Sequence, residues 1–335
     1  MNTELSSILE QDGRLTQWAE AVVFNGVNLS AEDKDISAAM DAFLKEGVGK
    51  TGADPNHEIA QLIRKAITPD VVAAPTELID MLFESTGNVG EFDDVTYEIE
   101  PENTIRVYES VPGGNVNRSY IDHKNMTPQW KSLQAETEIS LADIRRGGYR
   151  TVANAVQNIR NAFDQKKVAL LLAAMDGVVI SGGANYINET GSAPTEASMD
   201  KLAIYLLDVA TTDNLVAFGQ NRYIQPVAAF EKTTKYLTDT DKTWYNQHGL
   251  NALYSGVKLM GYSGTKKLAD GSLIVPNGVV FGAAGPVGKM CTRGDTIVLQ
   301  ETDINSEKIH IKVNGYTFGY AITAPKKIGK IVIAG

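Results

Sequence analysis

The chain has 335 residues, of which 43% are apolar and 21% are charged, and its formal net charge is -10. A chain of this length and composition can bury one or two sizeable hydrophobic cores, which excludes general disorder. An acidic chain without a run of lysine or arginine also lacks the electrostatic surface of a tight duplex-DNA binder.

The start of the chain, residues 1–5, lacks the basic and apolar regions of a signal peptide, and no run of about 18 apolar residues follows. We therefore expect a soluble, unsecreted chain. The single cysteine cannot form an internal disulfide, and no metal-ligand spacing relates it to the histidines, so the sequence predicts no zinc, iron–sulfur or haem centre. These residues are Cys291, His57, His123, His248 and His310.

Residues 4–66 have the apolar spacing of amphipathic helices. One helix is predicted to start at Ser30, whose following turn is acidic, and to end at about Glu46, where two glycines follow. A further helix is predicted after the Asp54-Pro55 pair, and a short one within residues 75–85. Each has only a narrow apolar stripe, so each must pack on another surface.

Between residues 95 and 111, apolar and polar side chains alternate as they do in strands. The next stretch, Ser110–Arg118, is rich in Gly and Pro and too poor in apolar residues to pack within its own domain. We interpret it as the end of a protruding two-stranded arm that returns through Trp130 towards Glu138. A long two-stranded hairpin is marginally stable alone, so the arm needs a surface on another chain. The predicted assembly residues are Val111, Pro112, Gly113, Gly114, Asn115, Val116, Asn117 and Trp130.

The longest helical pattern in the sequence begins at Leu141 and runs to about Met175. Such a helix would be about 50 Å long. The pair Gly147-Gly148 near its start costs about 1 kcal/mol per glycine relative to alanine. We therefore expect a kink or a delayed helix start at this pair.

The remainder alternates between short helices and strands. A helix is predicted over Thr195–Ala210, a buried strand over Leu215–Phe218, and a further helix over Asn221–Phe230, with a proline inside it. Strands dominate the rest of the chain, which predicts a mixed α+β fold rather than a doubly wound sheet. The predicted strands are 257–260, 279–281, 296–300, 309–313, 316–322 and 328–333.

The segment Gly47–Thr51 is similar to the end of a phosphate-binding loop, in which Lys50 and Thr51 would hold phosphate and magnesium. The first glycine of that motif should be at position 44, which is Leu44, and the loop should follow a strand rather than a helix. We interpret the segment as a linker that ends a helix. A nucleotide-binding enzyme that uses Lys50 and Thr51 stays as an alternative.

Other short motifs carry no chemistry. The glycine-rich segment Gly282–Gly288 follows a predicted strand, as a dinucleotide-binding motif does. A strand rather than a helix comes next, which indicates a turn between strands. Residues 239–243 resemble a calcium loop, but Leu250 replaces the required glutamate, so we predict a surface turn. Cys291 and His310 are not brought together by any pattern, and Cys291 is interpreted as a core residue. The sequence thus predicts neither an enzyme nor a bound cofactor or metal.

The order of the parts resembles the major capsid proteins of tailed bacteriophages, which have the Hong Kong 97-type capsid fold that encapsulin shells share. The segment 93–138 resembles the extended loop of that family, and the helix 141–175 resembles its spine helix. The run Lys308–Lys326 resembles the family's long strand, which ends near Pro325 before a last strand at Ile328–Ile333.

This resemblance implies five regions of the chain. They are a helical N-terminal arm at 1–70, a connecting helix with an extended two-stranded loop at 71–138, a peripheral domain with the spine helix at 139–194, an axial domain at 195–300, and closing strands shared by both domains at 301–335. We expect the N-terminal arm to be retained.

The resemblance also implies the function. The chain would assemble with copies of itself as pentamers and hexamers into an icosahedral shell around double-stranded DNA, with scaffolding, portal and decoration proteins as partners. Its location would be the virion, after assembly in the host cytoplasm. No lysine lies between Pro101 and His123, and Lys124 stands at the base of the arm, so we expect no autocatalytic crosslink. An encapsulin-like compartment is an alternative, and a phage tail or decoration protein is a weaker one.

Overall fold

The computed structural model describes residues 18, 21–22, 29–49, 77–99, 124–230, 253–268, 270–294, 297–303 and 308–334. The helices in these ranges are α1 (Ala31–Gly49), α2 (Glu77–Leu82), α3 (Leu141–Gly147), α4 (Tyr149–Val178), α5 (Glu196–Val209) and α6 (Asn221–Ile224), with short 3₁₀ helices at Gln225–Ala229 and Pro325–Lys327. The strands are β1 (Phe83–Val89), β2 (Tyr97–Glu98), β3 (Asn125–Met126), β4 (Gln129–Ser140), β5 (Tyr186–Glu189), β6 (Leu215–Gln220), β7 (Leu253–Tyr254), β8 (Val257–Tyr262), β9 (Val279–Ala284), β10 (Gly288–Arg293), β11 (Ile297–Asp303), β12 (Lys308–Ala321) and β13 (Ile328–Ile333).

A five-stranded sheet is built around β12, which is 14 residues long. Strand β4 pairs antiparallel with one edge of β12 along most of its length. The opposite edge is divided, because β11 pairs with the first half of β12 and β10 pairs with the second half. Strand β1 extends the sheet by pairing in parallel with β10.

A six-stranded sheet has the order β5-β13-β9-β6-β8-β7 and is covered on both faces. Along β6, alternate side chains enter two different cores. Val216 and Phe218 pack in the core that contains α4, whereas Leu215 and Ala217 pack in the core beneath α5. A strand that is buried on both faces reads as a continuous apolar run, which is why Leu215–Phe218 was recognisable in the sequence.

Helix α4 joins the two sheets. Its middle packs on the five-stranded sheet, where the rings of Phe163 and Tyr316 meet edge to face with centroids 5.9 Å apart. Its last turns reach the six-stranded sheet, where Asp176 forms an ion pair with Lys330 of β13. The helix therefore contributes to one core that spans both sheets.

The predicted kink in the long helix is confirmed. Helix α3 ends at Gly147, and Gly148 has φ +56° and ψ -139°, a backbone conformation that residues other than glycine rarely adopt. The backbone N–H of Tyr149, the first residue of α4, donates to Oδ1 of Asp41 on α1 at 3.2 Å. A side chain from the N-terminal region thus accepts one of the N–H groups that a helix start leaves free.

Helix α1 and the helical residues before it pack on their own chain. Trp18 is only 1% exposed, and its Nε1 donates a hydrogen bond to Ser37 Oγ at 3.0 Å. The Trp18 ring also lies 6.0 Å from the Tyr149 ring. Helix α1 begins as predicted, but it continues to Gly49 rather than ending at about Glu46. A glycine only costs about 1 kcal/mol in a helix, so it does not by itself stop one.

Other boundaries differ from the sequence prediction for tertiary reasons. The predicted helix within 75–85 is α2, but the chain becomes a strand at Phe83 because that residue pairs with Gly288 of β10. The predicted helix Asn221–Phe230 is a short α6 followed by a 3₁₀ helix, which accommodates Pro226. The predicted strands 309–313 and 316–322 are one strand, β12, with a bulge opposite β4 between Val313 and Tyr316. The helix predicted after Asp54-Pro55 lies outside the described residues.

Candidate assembly surfaces

Trp130, the one predicted assembly residue within the described ranges, packs against its own chain. Its ring lies over Gly319 of β12, where a Cβ would approach Cζ3 of the indole to 2.8 Å. The guanidinium carbon of Arg293 lies 3.8 Å from the ring centroid. Arg293 also donates from Nη2 to the backbone oxygen of Asp93 at 2.6 Å. Trp130 therefore joins three segments of one subunit, and its role in contacts with another subunit stays a prediction.

The base of the predicted arm is a two-stranded antiparallel ribbon. Tyr97 of β2 pairs with Met126 of β3, and the N–H of Ile99 donates to the oxygen of Lys124 at 2.8 Å. A small apolar cluster holds this ribbon on the five-stranded sheet; its buried members are Tyr97, Cys291 and Ala321. The rest of the arm, including Val111–Asn117, lies outside the described residues.

The hydroxyl of Tyr97 is the polar centre of this cluster. It lies 2.7 Å from the Thr86 hydroxyl on β1. Burial, reinforced by a hydrogen bond with the Cys291 thiol, raises the pKa of Tyr97 to about 12. The neutral phenol is therefore the form that this site favours.

The turn after β1 presents an aromatic side chain that the sequence analysis did not select. Phe92 is 94% exposed. The N–H of Gly90 donates to Asp93 Oδ2 at 2.8 Å, and the N–H of Asp93 donates back to the Gly90 oxygen at 3.2 Å. We call residues 90–94 the Phe92 turn. Its sequence, a phenylalanine among Glu91, Asp93 and Asp94, was the available signal, because an aromatic residue within an acidic turn has no core to enter.

Further exposed apolar side chains lie around the six-stranded sheet and on β11. Ile204 and Leu207 are one turn apart on the outer face of α5 and are 58% and 52% exposed. Leu253, on the edge strand β7, is 57% exposed, and Leu299, on β11, is 51% exposed. Single exposed apolar residues are common, but a pair on one helix face is a candidate contact surface.

A groove with a volume of about 620 Å³ runs between β4 and α4. Its apolar lining includes Leu133, Ala162 and Leu268. At its rim, Lys166 Nζ lies 3.3 Å from Asp270 Oδ2. We call this site the β4–α4 groove. Within the described ranges, β4 pairs with β12 along one edge only.

The candidate chemical sites of the sequence are not assembled. Cys291 pairs with Gly319 at one end of β12, whereas His310 lies near the other end, beside Glu138, with Nδ1 and Oε1 3.5 Å apart. Gly282–Gly288 joins β9 to β10 without a helix, as predicted. Lys50, Thr51 and residues 239–243 lie outside the described ranges.

No group of three or more potential metal ligands occurs among the described residues. Among the same residues, no helix is long and apolar enough to cross a membrane.

No protein-family model matches the sequence, and comparison with curated proteins also finds no match. Comparison with solved structures does find matches. One is a chain of the bacteriophage PhiM1 mature capsid, with a TM-score of 0.50 and 9% identity over 75% of this chain and 86% of that chain. Another is a capsid chain of a native GTA particle, with a TM-score of 0.52 and 13% identity over 78% of this chain and 92% of that chain.

The protein therefore has a capsid-subunit fold. More particularly, it has the α+β fold of bacteriophage capsid subunits, which confirms at the level of the fold the resemblance predicted from the order of its parts.

Proposed function

We propose that this chain is the major capsid protein of a tailed bacteriophage. In this proposal it is a structural protein rather than an enzyme, and it assembles as pentamers and hexamers into an icosahedral shell that encloses double-stranded DNA. The likeness of its fold to two capsid subunits over at least three quarters of its length carries the proposal.

The proposal assigns the Hong Kong 97-type domains to the chain. Helix α4 would be the spine helix of the peripheral domain at 139–194, and residues 71–138 would carry the extended loop. Strands β6 to β9 of the six-stranded sheet would be the centre of the axial domain at 195–300, and residues 1–70 would be the N-terminal arm. The closing region, 301–335, supplies β12 to one sheet and β13 to the other, which supports its assignment to both domains.

Assembly would use contacts between different surfaces of identical subunits. Such heterologous contacts close into rings, and rings of modest contacts can tile a shell. The arm would cross an adjacent subunit, held at its base by Tyr97 and Trp130. The exposed pair Ile204 and Leu207 on α5 is a candidate ring contact within the axial domain.

The charge of the chain is consistent with a container. A net charge of -10 provides no general attraction for phosphate, so an enclosed genome would not be bound tightly. In this proposal the protein is located in the virion after assembly in the host cytoplasm. Scaffolding, portal and decoration proteins would be its further partners.

Negative-stain electron microscopy of the purified protein tests the proposal directly. We expect closed shells or rings of five and six subunits, and particles that protect DNA from nuclease. Monomers at all concentrations would contradict a shell function. Shells that contain a protein cargo instead of DNA would indicate an encapsulin-like compartment.

Deletion of Val111–Asn117 tests the role assigned to the arm. The variant should remain soluble and form rings, because this Gly- and Pro-containing stretch is poor in apolar residues, but it should form few closed particles. A normal yield of closed particles would contradict the assigned role. A variant that shortens the 263–265 turn, where Ser263 and Thr265 are on the surface, serves as a control for loop deletion in general.

A further inference from the structure

The Phe92 turn has the properties of a preformed binding element. Its phenylalanine is 94% exposed, which leaves nearly the whole ring in water. Two hydrogen bonds between Gly90 and Asp93 close the turn, and Arg293 holds the Asp93 carbonyl oxygen at 2.6 Å. Fixing a turn in advance lowers the entropy lost on binding, and buried aromatic side chains are common anchors of protein interfaces.

The β4–α4 groove on the same chain has complementary properties. Its volume of about 620 Å³ and the apolar side chains of Leu133, Ala162 and Leu268 in its lining suit an aromatic ring. Lys267 lies at the rim and forms no ion pair with any residue in the described part of the chain. Lys166 is nearby and is 41% exposed in its ion pair with Asp270.

The Phe92 turn and the rim of the groove carry individual groups of opposite charge. The turn carries the exposed carboxylates of Glu91, Asp93 and Asp94 around Phe92. The described lining of the groove carries two lysines, Lys166 and Lys267, and two carboxylates, Glu136 and Asp270. Lys166 pairs with Asp270, whereas Lys267 forms no ion pair in the described part of the chain. The acidic Phe92 turn therefore attracts Lys267, and this attraction orients the approach of two copies.

We propose that the Phe92 turn of one subunit binds in the β4–α4 groove of a second copy of this chain. This inference rests on the proposed shell function. The turn and the groove are different surfaces, so the contact is heterologous and can continue from subunit to subunit. Within one subunit the 94% exposure of Phe92 shows that its own groove does not hold it.

Substitutions in the Phe92 turn test the proposal. The measured quantity is the protein concentration at which particles form, monitored by light scattering and electron microscopy. Phe92→Ala should raise that concentration about tenfold or more, as removal of an interface anchor does, without loss of folding by circular dichroism. Phe92→Leu should retain most of the assembly. The control is Ile180→Ala, because Ile180 is also exposed, at 76%, but lies in a different turn.

Substitutions in the groove test the other half of the contact. Ala162→Glu adds bulk and a like charge to the exposed groove wall and should impair assembly as strongly as Phe92→Ala. Ala173→Glu, at an exposed position on the same helix outside the groove, is the matched control and should assemble normally. Lys267→Glu should weaken assembly, and Glu91→Lys in the same chain should restore it.

A disulfide experiment identifies the contact directly. Glu91→Cys chains mixed with Lys267→Cys chains should form covalent dimers in particles, and the native Cys291 does not interfere because it is buried. Glu91→Cys chains mixed with Ala173→Cys chains should not. If the unaltered chain forms shells and Phe92→Ala forms them equally well, only this inference is overturned. A loss with Phe92→Ala but not with Ala162→Glu overturns the groove as the partner, and an unaltered chain that never assembles overturns the proposed function and this inference with it.

Discussion

Lys167 and Asp164 form an ion pair on α4, with Nζ and Oδ1 3.1 Å apart and side chains only 4% and 15% exposed. The ammonium group also lies 5.2 Å from the centroid of the Tyr316 ring on β12. Burial raises the pKa of the Asp164 carboxyl, and the charge of Lys167 partly opposes that change. The pair therefore places two mutually dependent charges between the long helix and the central strand of the five-stranded sheet.

Lys167→Met should lower the free energy of unfolding at pH 7 by up to about 3–5 kcal/mol, because it removes the nearest cation from a largely buried carboxylate and leaves it only the charge of Arg160. The matched control is Lys166→Met. Lys166 and its partner Asp270 are 41% and 55% exposed, so that change should cost less than about 1 kcal/mol. Urea unfolding followed by circular dichroism measures both. Equal costs for the two variants would contradict the interpretation of Lys167.

The same variant should show a specific pH dependence. The pKa of Asp164 is already raised in the folded state, and it should rise further without Lys167. A folded-state carboxyl with a raised pKa binds its proton more readily than the unfolded chain does, so lower pH favours the folded state. The cost of Lys167→Met should therefore decrease as the pH falls from 7 towards 5. A further Asp164→Asn substitution should remove this dependence.

Gly329 and Gly177 should respond to alanine in opposite directions. A Cβ on Gly329 would lie 2.5 Å from Leu202 Cδ1 of α5, whereas a Cβ on Gly177 of α4 would have no atom within 4 Å. Gly329→Ala should cost about 1–3 kcal/mol through overpacking. Gly177→Ala should stabilise the helix by up to about 1 kcal/mol. Thermal unfolding of both variants measures the difference.

The cause of the Gly329 effect can be separated from backbone effects. Leu202→Val removes the methyl region that the new Cβ would meet, so it should recover part of the stability when combined with Gly329→Ala. Additive losses in the double variant would show that close packing of α5 on β13 is not the reason for the glycine.

The elements that the sequence located best are those whose pattern is local. Helix α5 was found from its amphipathic pattern, and Thr195, the first residue of the predicted helix, caps it in the structure. The break at Gly148 was found because two glycines interrupt an otherwise continuous pattern. In contrast, the start of β1 at Phe83 depends on pairing with β10, about two hundred residues away in the chain, and no local signal contains that information.

The candidate contact surfaces were predictable only in part. The arm was inferred from Gly and Pro content, and its base proves to be a two-stranded ribbon as predicted. Trp130 was selected because it lies on the predicted return strand of the arm. Its contacts with Arg293 and Gly319 depend on strand register, which periodicity alone does not give. The β4–α4 groove arises from three separate segments and has no sequence signature.

Arg293→Ala should loosen the base of the arm. It removes both the contact with the Trp130 ring, at 3.8 Å, and the hydrogen bond to the Asp93 oxygen, so we expect a cost of about 2 kcal/mol. Arg293→Lys should lose less, because an ammonium group retains the interaction with the ring.

Lys289→Ala, on the same strand with a partly exposed partner in Glu84, should cost less than about 1 kcal/mol. Hydrogen exchange at residues 124–130 measures how far each variant loosens the base of the arm. Similar effects of Arg293→Ala and Lys289→Ala would contradict the role of Arg293.

Tyr97 should make the base of the arm sensitive to alkaline pH. Its pKa is about 12 in the folded protein, against about 10 for an exposed tyrosine. The unfolded chain therefore loses this proton at a lower pH than the folded one does. The stability that Tyr97 contributes is complete below pH 10 and is lost as the pH rises from about 10 to about 12.

Tyr97→Phe tests this dependence because phenylalanine has no proton to lose. At pH 8 the variant should be less stable by about 1 kcal/mol, since it lacks the hydrogen bond to Thr86, but between pH 9 and pH 11 its stability should fall less than that of the unaltered chain. Thr86→Ala is the matched control, because it removes the same hydrogen bond and keeps the ionisable phenol, so it should retain the alkaline loss. Urea midpoints at the three pH values distinguish the variants. If the decline with pH were the same in Tyr97→Phe as in Thr86→Ala, the alkaline sensitivity would have to come from other tyrosines, of which Tyr254 and Tyr316 also have pKa values raised by burial.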